Sequence, residues 1–329
     1  MREEIIYSFR SPYRDDFRIP EYSFHGGGTP APAKTCTIVG GLRGSETLQM
    51  YVCASLINEL STLEREGAVA KDAEIAVIPA VNHYAMNSGK KFCTKCDKDI
   101  NRAFPGRPMA ENIDRIASAV FTRVSERANL IHVTGGSLPR GSYCAHLGIE
   151  DCPANEGAGE LFRLPYYIYD TAQKDERRED STFVNCTTAK GLSAVSLYVN
   201  SGGETDEPAV RAAVCGMLLF LRGKGILTGC GHLDKAEAEI TARYSENCGS
   251  LQFGRDKMHR VVSTTGGFLR RLKHHGQLVK KGDILGEILH PYQGTVLTPL
   301  SAPVSGLIIY NFQQSLISER CLAFTVIEI

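Results

Sequence analysis

The residues of this sequence whose side chains are most suited to redox chemistry or metal binding are its cysteines and histidines. Eleven cysteines are present, and two of them form the close pair Cys93-Thr-Lys-Cys96. A CxxC pair is typical of a redox motif or of half a zinc site, but a second CxxC or HxxxH at ribbon spacing is missing. His274 and His275 are adjacent, so their side chains point in different directions and do not favour a shared metal. We interpret the thiols as reduced, because they are scattered, odd in number and without a secretory signal.

The charge balance excludes a protein that binds nucleic acid or an anionic membrane through bulk charge. The 329 residues include 37 basic and 37 acidic ones, whereas such binders need a basic excess to displace counterions. With 43% hydrophobic residues, the composition is that of a globular protein, and the length favours one large domain plus a smaller one. No stretch approaches 18 consecutive apolar residues, and the start of the sequence has no basic-then-apolar signal region. We therefore expect a soluble, cytoplasmic protein with no nucleic-acid and no membrane partner.

The elements that must position any site alternate between strand and helix. An apolar strand at Cys36–Val39 is followed by the Gly40-Gly41 turn and by a helical pattern. The further predicted elements are strands at 74–79, 129–134 and 194–200 and helices at 46–66, 112–127 and 207–221. This alternation predicts an α/β protein whose sheet is covered by helices on both faces.

Both ends of the sequence differ from this pattern. The first 34 residues are polar and rich in proline and glycine, which favours an irregular N-terminal arm. From about Gly266, short β-like runs separated by turn residues predict a small all-β unit. We therefore predict an arm at 1–34, an α/β domain at 35–245 and a C-terminal β domain at 246–329.

Five segments in order resemble one known family. They are Gly40-Gly-Leu-Arg-Gly-Ser-Glu46, Asp99-Ile-Asn-Arg-Ala-Phe-Pro-Gly106, Leu130-Ile-His-Val-Thr-Gly-Gly136, Tyr198-Val-Asn-Ser-Gly-Gly203, and Val279–Gly286 with Ser301–Gly306. Together they resemble the succinylglutamate desuccinylase/aspartoacylase family, a branch of the zinc carboxypeptidase-like fold. The resemblance implies a zinc-carboxypeptidase-like α/β/α sandwich with a mixed sheet, plus a small C-terminal all-β domain.

The resemblance also implies a zinc site, from which this sequence departs. In the family, a His-x-x-Glu pair and a second histidine hold zinc, and a glutamate acts as general base on the bound water. Arg43 stands at the position of the first histidine, three residues before Glu46. A guanidinium cannot ligate a cation, and at about 4 Å and an effective dielectric near 20 it would repel zinc by roughly 8 kcal/mol. We expect an Arg43–Glu46 ion pair in place of the metal.

Two further family positions are altered or ambiguous. An ungapped alignment puts Val133 at the second histidine, whereas a shift of one residue puts His132 there, as a ligand or as a buried strand histidine. One residue of slip reverses the face of a strand, so the two alignments predict different sites. Asn200 stands at the general-base position, and an amide has no useful proton affinity near neutral pH. Glu204 could substitute only if the intervening glycine turn brings it back.

The substrate-binding positions are better kept. Asn101 and Arg102 resemble the pair that holds the substrate carboxylate in the family, and an arginine fork suits a carboxylate. A structural turn with Arg102 in a surface ion pair is the alternative. Arg43, if it points into the same cleft, would make the pocket still more favourable for anions.

Three functional hypotheses follow. The first is a divergent, pseudoenzyme-like family member that lacks the standard zinc and base and binds an acidic small molecule, or an active relative in a homo- or hetero-oligomer. The second is a metal-dependent deacylase or amidohydrolase of N-acyl amino acids with relocated ligands, drawn from Glu46, His132, Cys93, Cys96 or Glu204. The third is a structural or assembly scaffold. The expected cofactor is accordingly none or zinc.

Overall fold

The computed structural model describes residues 1–10, 15–28, 31–89, 98–110, 112–135, 141–170, 182–199, 205–229, 231–244 and 251–329. The first ten strands are Arg2–Phe9 (β1), Phe17–His25 (β2), Lys34–Val39 (β3), Ala73–Ile78 (β4), Asn129–Thr134 (β5), Gly141–Ser142 (β6), His146–Glu150 (β7), Tyr166–Asp170 (β8), Ser193–Tyr198 (β9) and Leu251–Gly254 (β10). All except β6 form one nine-stranded sheet in the order β1-β2-β4-β3-β5-β9-β7-β8-β10.

The centre of this sheet is parallel. β3 pairs in parallel with β4 and β5, and β5 pairs in parallel with β9. The carboxyl ends of these strands therefore meet at one edge, which is where open α/β sheets place their ligands. The loop after β3 and the residues that follow β5 and β9 all lie at this edge.

Helices cover both faces of the sheet. They are Thr47–Arg65 (α1), His83–Asn87 (α2), Asn112–Val124 (α3), Ala158–Leu161 (α4), Phe183–Thr188 (α5), Glu207–Gly223 (α6) and Gly231–Tyr244 (α7). One core contains buried residues of α1, α6 and α7, and the other contains those of α3 and α5. The predicted α/β class is confirmed. Within the described ranges, no helix is both long and apolar enough to span a bilayer.

The C-terminal part is all-β, as predicted. Its strands are Met258–Val262 (β11), Gly267–Arg271 (β12), Leu278–Val279 (β13), Ile284–Leu289 (β14), Val296–Ser301 (β15), Gly306–Phe312 (β16), Leu316–Ile317 (β17) and Leu322–Glu328 (β18). They form two sheets, β11-β18-β16-β13 and β15-β14-β12-β17. β6 pairs with β16, so a segment between β5 and β7 joins the C-terminal sheet.

The predicted domain boundaries require two corrections. Residues 1–34 are not an irregular arm, because β1 and β2 form a hairpin that pairs with β4 and extends the main sheet. The alternation of buried Phe17 and Ile19 in β2 was obscured by charged neighbours and by the inward-pointing Glu21. At the other boundary, β10 pairs with β8, so the main sheet continues to Gly254 rather than ending near 245.

Glu21 is kept inside by two arginines. Its side chain is 1% exposed and lies 2.8 Å from Arg123 Nη2 and 2.9 Å from Arg127 Nη2. Arg127 is itself buried and also pairs with Glu74. Burial alone would raise the pKa of Glu21, but hydrogen bonding to Arg123 and the charge of Arg127 outweigh it and lower this pKa. The network ties β2 and β4 to α3 and to the turn that follows α3.

Candidate functional site

A tight turn after β3 brings Arg43 and Glu46 to the carboxyl edge of the sheet. Gly41 has a φ of +57°, and a Cβ at this residue would lie 2.9 Å from the Cα of Ala80, so only glycine fits without strain. The carbonyl of Gly41 accepts hydrogen bonds from the backbone N–H groups of Val81 and Asn82. Glu46 immediately precedes α1, and its backbone N–H donates to the carbonyl of Arg43 at 3.0 Å.

The Arg43 guanidinium lies between two carboxylates. Its Nε is 3.1 Å from both carboxylate oxygens of Asp99, and its Nη2 is 2.9 Å from Asp99 Oδ2. Its Nη1 lies 3.3 Å from Glu46 Oε1 and 3.5 Å from Thr134 Oγ1. The Arg43–Glu46 ion pair expected from the sequence is present, and Asp99 adds a second acidic partner.

Both oxygens of Glu46 are held by donors. Oε1 accepts from Thr134 Oγ1 at 2.8 Å and from the backbone N–H of Gly135 at 3.3 Å, in addition to Arg43. Oε2 accepts from the backbone N–H of Arg43 at 3.0 Å. Glu46 is 2% exposed. The carboxylate therefore ties the loop after β3 to the end of β5.

This cluster does not favour anions, which corrects the expectation that Arg43 would add to a carboxylate-binding pocket. Arg43 is 6% exposed, and its formal charge of +1 faces the two carboxylates of Glu46 and Asp99. Burial alone would lower the pKa of Arg43, but Glu46 and Asp99 outweigh it and raise this pKa. The guanidinium is fully charged and already saturated by acidic partners.

The strand register places His132, and not Val133, on the side of the site. Thr134 contacts Arg43 and Glu46, and the two-residue period of a strand puts His132 on the same face. The ring of His132 meets that of Phe183 edge-on, with the centroids 5.6 Å apart. Val133 is buried in the opposite core, with residues of α1 and α6. The face of β5 that meets Arg43 is thus the one that carries His132, and its role as a metal ligand stays a prediction.

His132 carries an unpartnered nitrogen. Its side chain is 2% exposed, and Nε2 has no hydrogen-bond partner among the described residues. Burial, and then the positive charge of Arg43, lower the pKa of His132 to about 3. The imidazole is therefore neutral near pH 7, with a lone pair inside the fold.

We expect the buried neutral His132 to make the stability of the protein pH-dependent. Its pKa is about 3 in the folded state against about 6.5 unfolded, so the unfolded chain takes up the proton first as the pH falls. The contribution is complete above about pH 6.5 and is lost toward pH 3, at roughly 1.4 kcal/mol per pH unit. Urea unfolding between pH 7 and pH 4 measures this slope.

His132→Gln should flatten that slope by the share of one histidine. Burial also lowers the pKa of His146 to about 4, so this histidine contributes to the slope independently. His146→Gln is therefore the matched control, and it should flatten the slope by its own share. A His132→Gln slope equal to that of the wild type would contradict a neutral buried His132.

The predicted carboxylate-binding pair lies beside the cluster in the short 3₁₀ helix Ile100–Arg102. Asp99 caps this helix by accepting from the backbone N–H of Asn101 at 3.0 Å. The side-chain oxygen of Asn101 accepts from the backbone N–H of Phe183 at 3.2 Å, so Asn101 positions the start of α5. Arg102 is exposed. Asn101 therefore has a structural role, whereas the charged side chain of Arg102 reaches solvent.

Other predicted site residues lie outside the described residues, namely Asn200, Glu204, Cys93 and Cys96. Conversely, the structure brings in Asp99, Thr134 and Tyr143, to which sequence reasoning assigned no role. Tyr143 Oη lies 2.5 Å from the carbonyl oxygen of Gly135 and 3.0 Å from that of Val199, and its one O–H proton is shared between them, which links the residues that follow β5 and β9. Of these three, Asp99 alone had a sequence signal, as a helix-capping residue.

The described residues of the cluster do not fit a zinc ion. Glu46 is paired with the guanidinium of Arg43 and with two other donors, and Asp99 is also paired with Arg43. The imidazole of His132 alone offers a free lone pair, and it lies next to a fixed positive charge. In the part of the chain that the structure describes, no three His, Cys, Asp or Glu side chains converge on a cation position.

Comparison with known proteins identifies the class of this fold. A succinylglutamate desuccinylase/aspartoacylase from Rhodobacter sphaeroides is 20% identical, with a TM-score of 0.73 over 95% of this chain and 90% of that chain. A succinylglutamate desuccinylase from a Silicibacter species is 18% identical, with a TM-score of 0.74 over 99% of this chain and 95% of that chain. The product-bound ectoine utilization protein EutE (DoeB) from Ruegeria pomeroyi is 20% identical, with a TM-score of 0.72 over 95% and 90% of the two chains. At these identities the similarity establishes the fold.

One part of the sequence also matches a family model. Residues 32–134 match the Succinylglutamate desuccinylase/Aspartoacylase catalytic domain, a range that contains Arg43, Glu46, Asp99 and His132. The family resemblance predicted from the sequence is therefore confirmed. No curated protein shows significant sequence similarity to this chain.

Proposed function

We propose that this chain is a divergent relative of the desuccinylases and aspartoacylases in which the guanidinium of Arg43 takes the place of the metal, and that it binds a carboxylate-bearing small molecule without hydrolysing it. The observation that carries the proposal is the position of Arg43 between Glu46 and Asp99, at 3.3 Å and 2.9 Å. A zinc ion at this position would have to displace a buried, fully paired cation.

The buried cluster acts as a structural centre in this proposal. Arg43, Glu46 and Asp99 hold the loop after β3, the end of β5 and the 3₁₀ helix together without a metal. Hydrolysis of an amide needs an activated water, and neither the saturated Glu46 nor the buried His132 is placed to activate one at an open position.

Ligand binding is assigned to the 3₁₀ helix beside this centre. Arg102 is exposed and follows Asn101 directly, and Asn101 fixes the helix against α5 through the backbone N–H of Phe183. The family name gives the ligand class, which is an N-acyl acidic amino acid such as N-succinylglutamate or an N-acyl-aspartate. A guanidinium held on a fixed helix is suited to the carboxylates of such a compound.

The proposal is tested by metal content and ligand affinity measured on the same preparation. We expect the untagged protein, dialysed with zinc and then against buffer, to retain far less than one zinc per chain by mass spectrometry. Calorimetric titration with N-succinylglutamate should show binding that chelators do not change. Arg102→Ala should weaken it roughly 10- to 100-fold, since a charged hydrogen bond contributes about 1.5–3 kcal/mol.

Matched controls separate the two parts of the proposal. Arg107→Ala, an exposed arginine next to the same segment, should leave the affinity unchanged. Near-stoichiometric zinc with chelator-sensitive hydrolysis of the titrant would replace the proposal by a deacylase with relocated ligands. Equal affinities of Arg102→Ala and the wild type would refute the assignment of the carboxylate site.

A further inference from the structure

A thiol and an imidazole meet where the main sheet joins the C-terminal sheets. Cys144 lies between β6 and β7, and His275 lies in the turn between β12 and β13. Cys144 Sγ is 3.3 Å from His275 Nδ1. Both residues are partly exposed. The pair is thus formed by residues 131 positions apart in sequence and contributed by different layers of the fold.

Contacts on both sides fix this geometry. The backbone N–H of His275 donates to the side-chain oxygen of the buried Asn311 at 2.9 Å, and the N–H of Gly276 donates to the carbonyl of Ile308 at 2.8 Å. A Cβ at Gly276 would lie 3.2 Å from Cys144 Sγ, so the glycine permits the close approach. On the other side, His146 Nδ1 donates to the carbonyl of Cys144 at 2.9 Å.

We propose that Cys144 and His275 form a nucleophilic thiol–imidazole pair, and that Cys144 is a modification site for small-molecule disulfides. The pair is independent of the function proposed for the Arg43 cluster. It has the arrangement by which a base activates a cysteine, because His275 Nδ1 lies at hydrogen-bond distance from Cys144 Sγ and accepts the thiol proton in the tautomer protonated at Nε2.

The reaction is a thiol–disulfide exchange. The Sγ–H bond of Cys144 breaks as its proton passes to His275 Nδ1, and the thiolate attacks one sulfur of the disulfide. A new bond forms between Cys144 Sγ and that sulfur, the original disulfide bond breaks, and the other sulfur leaves as a thiolate. This leaving thiolate takes the proton from the His275 imidazolium. One mixed disulfide and one free thiol result, and the imidazole is neutral again.

The other described cysteines lack this arrangement. Burial raises the pKa of Cys36 to about 12 and that of Cys215 to about 11, and it also raises the pKa of Cys53. At the partly exposed Cys186, burial and then the charge of Glu150 raise the pKa. The remaining two, Cys152 and Cys321, are partly exposed but have no histidine partner among the described residues. Their reaction rates therefore serve as internal references for a partly exposed thiol without a histidine partner.

The test is the rate of mixed-disulfide formation at each cysteine of the full-length protein with glutathione disulfide. Acid-quenched samples are digested and quantified by peptide mass spectrometry between pH 5.5 and pH 8.5. We expect Cys144 to react about 10-fold faster than Cys152 and Cys321 at pH 7. An ordinary thiol is only a few per cent ionised at pH 7, so activation by a base can increase the thiolate fraction more than about 10-fold. The rate rises by less than this fraction, because a thiolate of lower pKa is a weaker nucleophile.

Two variants of neighbouring histidines provide the decisive comparison. His275→Asn keeps a hydrogen-bond acceptor but cannot take up the proton, so the rate at Cys144 should fall about 10-fold and its pH profile should shift to that of an ordinary thiol. His274→Asn changes the adjacent, exposed histidine and should leave the rate unchanged. A wild-type Cys144 that reacts no faster than Cys152 and Cys321 would overturn the proposal, as would an unchanged rate in folded His275→Asn.

Discussion

Arg43→His is expected to increase the affinity of this protein for zinc. The substitution removes the buried cation that is paired with Glu46 and Asp99 and puts a neutral imidazole in its place. His132, with its unpartnered Nε2, already lies on the same side of β5. Two imidazoles and a carboxylate are a donor set that zinc accepts. We expect zinc affinity to rise at least roughly 100-fold, which corresponds to about 2.7 kcal/mol. This is only part of the roughly 8 kcal/mol of repulsion that the substitution removes.

The measurement is zinc titration by calorimetry, with metal content per chain as the second readout. Arg43→Gln also removes the charge but brings no imidazole, and it should bind zinc weakly. Arg43→His/His132→Gln should lose the gained affinity, because the second imidazole is missing. A substitution at Val133 is not needed, since that side chain faces the opposite core. A folded Arg43→His variant with the zinc affinity of the wild type would show that the cluster is not a replaced metal site.

Glu21→Gln should have the largest effect on stability. The substitution leaves the guanidinium groups of Arg123 and Arg127 without the carboxylate that they share, and the Arg127 side chain is only 4% exposed. Breaking a buried ion pair by removing one partner costs about 3–5 kcal/mol. Because Glu74 still pairs with Arg127 in the variant, we expect a loss near the lower end of this range. Urea unfolding at pH 7 should show this loss in the free energy of unfolding.

The matched control is a partly exposed pair of the same chemistry. Arg270 and Glu287 form a cross-strand ion pair between β12 and β14, with the Arg270 side chain 52% exposed. Glu287→Gln should cost less than about 1 kcal/mol, since solvent screens that pair. Similar losses for the two variants would contradict the view that burial of Glu21 determines its contribution.

The local elements of the central sheet were predictable because their signals are local. The apolar spacing of five residues predicts α1, namely Leu48, Val52, Leu56, Leu60 and Leu63. The last four are buried in the structure, and Leu48 is partly buried. The strand predicted at 129–134 is found at those residues. The N-terminal hairpin was missed because Glu21, a charged residue, occupies an inward position, and only Arg123 and Arg127 from a distant helix and turn make that position stable.

Some features of the candidate site were likewise predictable from the sequence, and others were decided by the tertiary structure. From the sequence alone it follows that residue 43 cannot ligate a metal and that Glu46 lies three residues away. The sequence also places Asn101 and Arg102 in a segment that resembles the family's substrate-binding signature. The pairing of Arg43 with Asp99, 56 residues away, depends on how the loop after β3 and the 3₁₀ helix pack together. The choice between His132 and Val133 depends on which face of β5 meets Arg43, and that is set by strand pairing and core packing rather than by the residues themselves. Chemistry that belongs to a residue type can be read along the chain, whereas partners that are distant in sequence are decided by the tertiary structure.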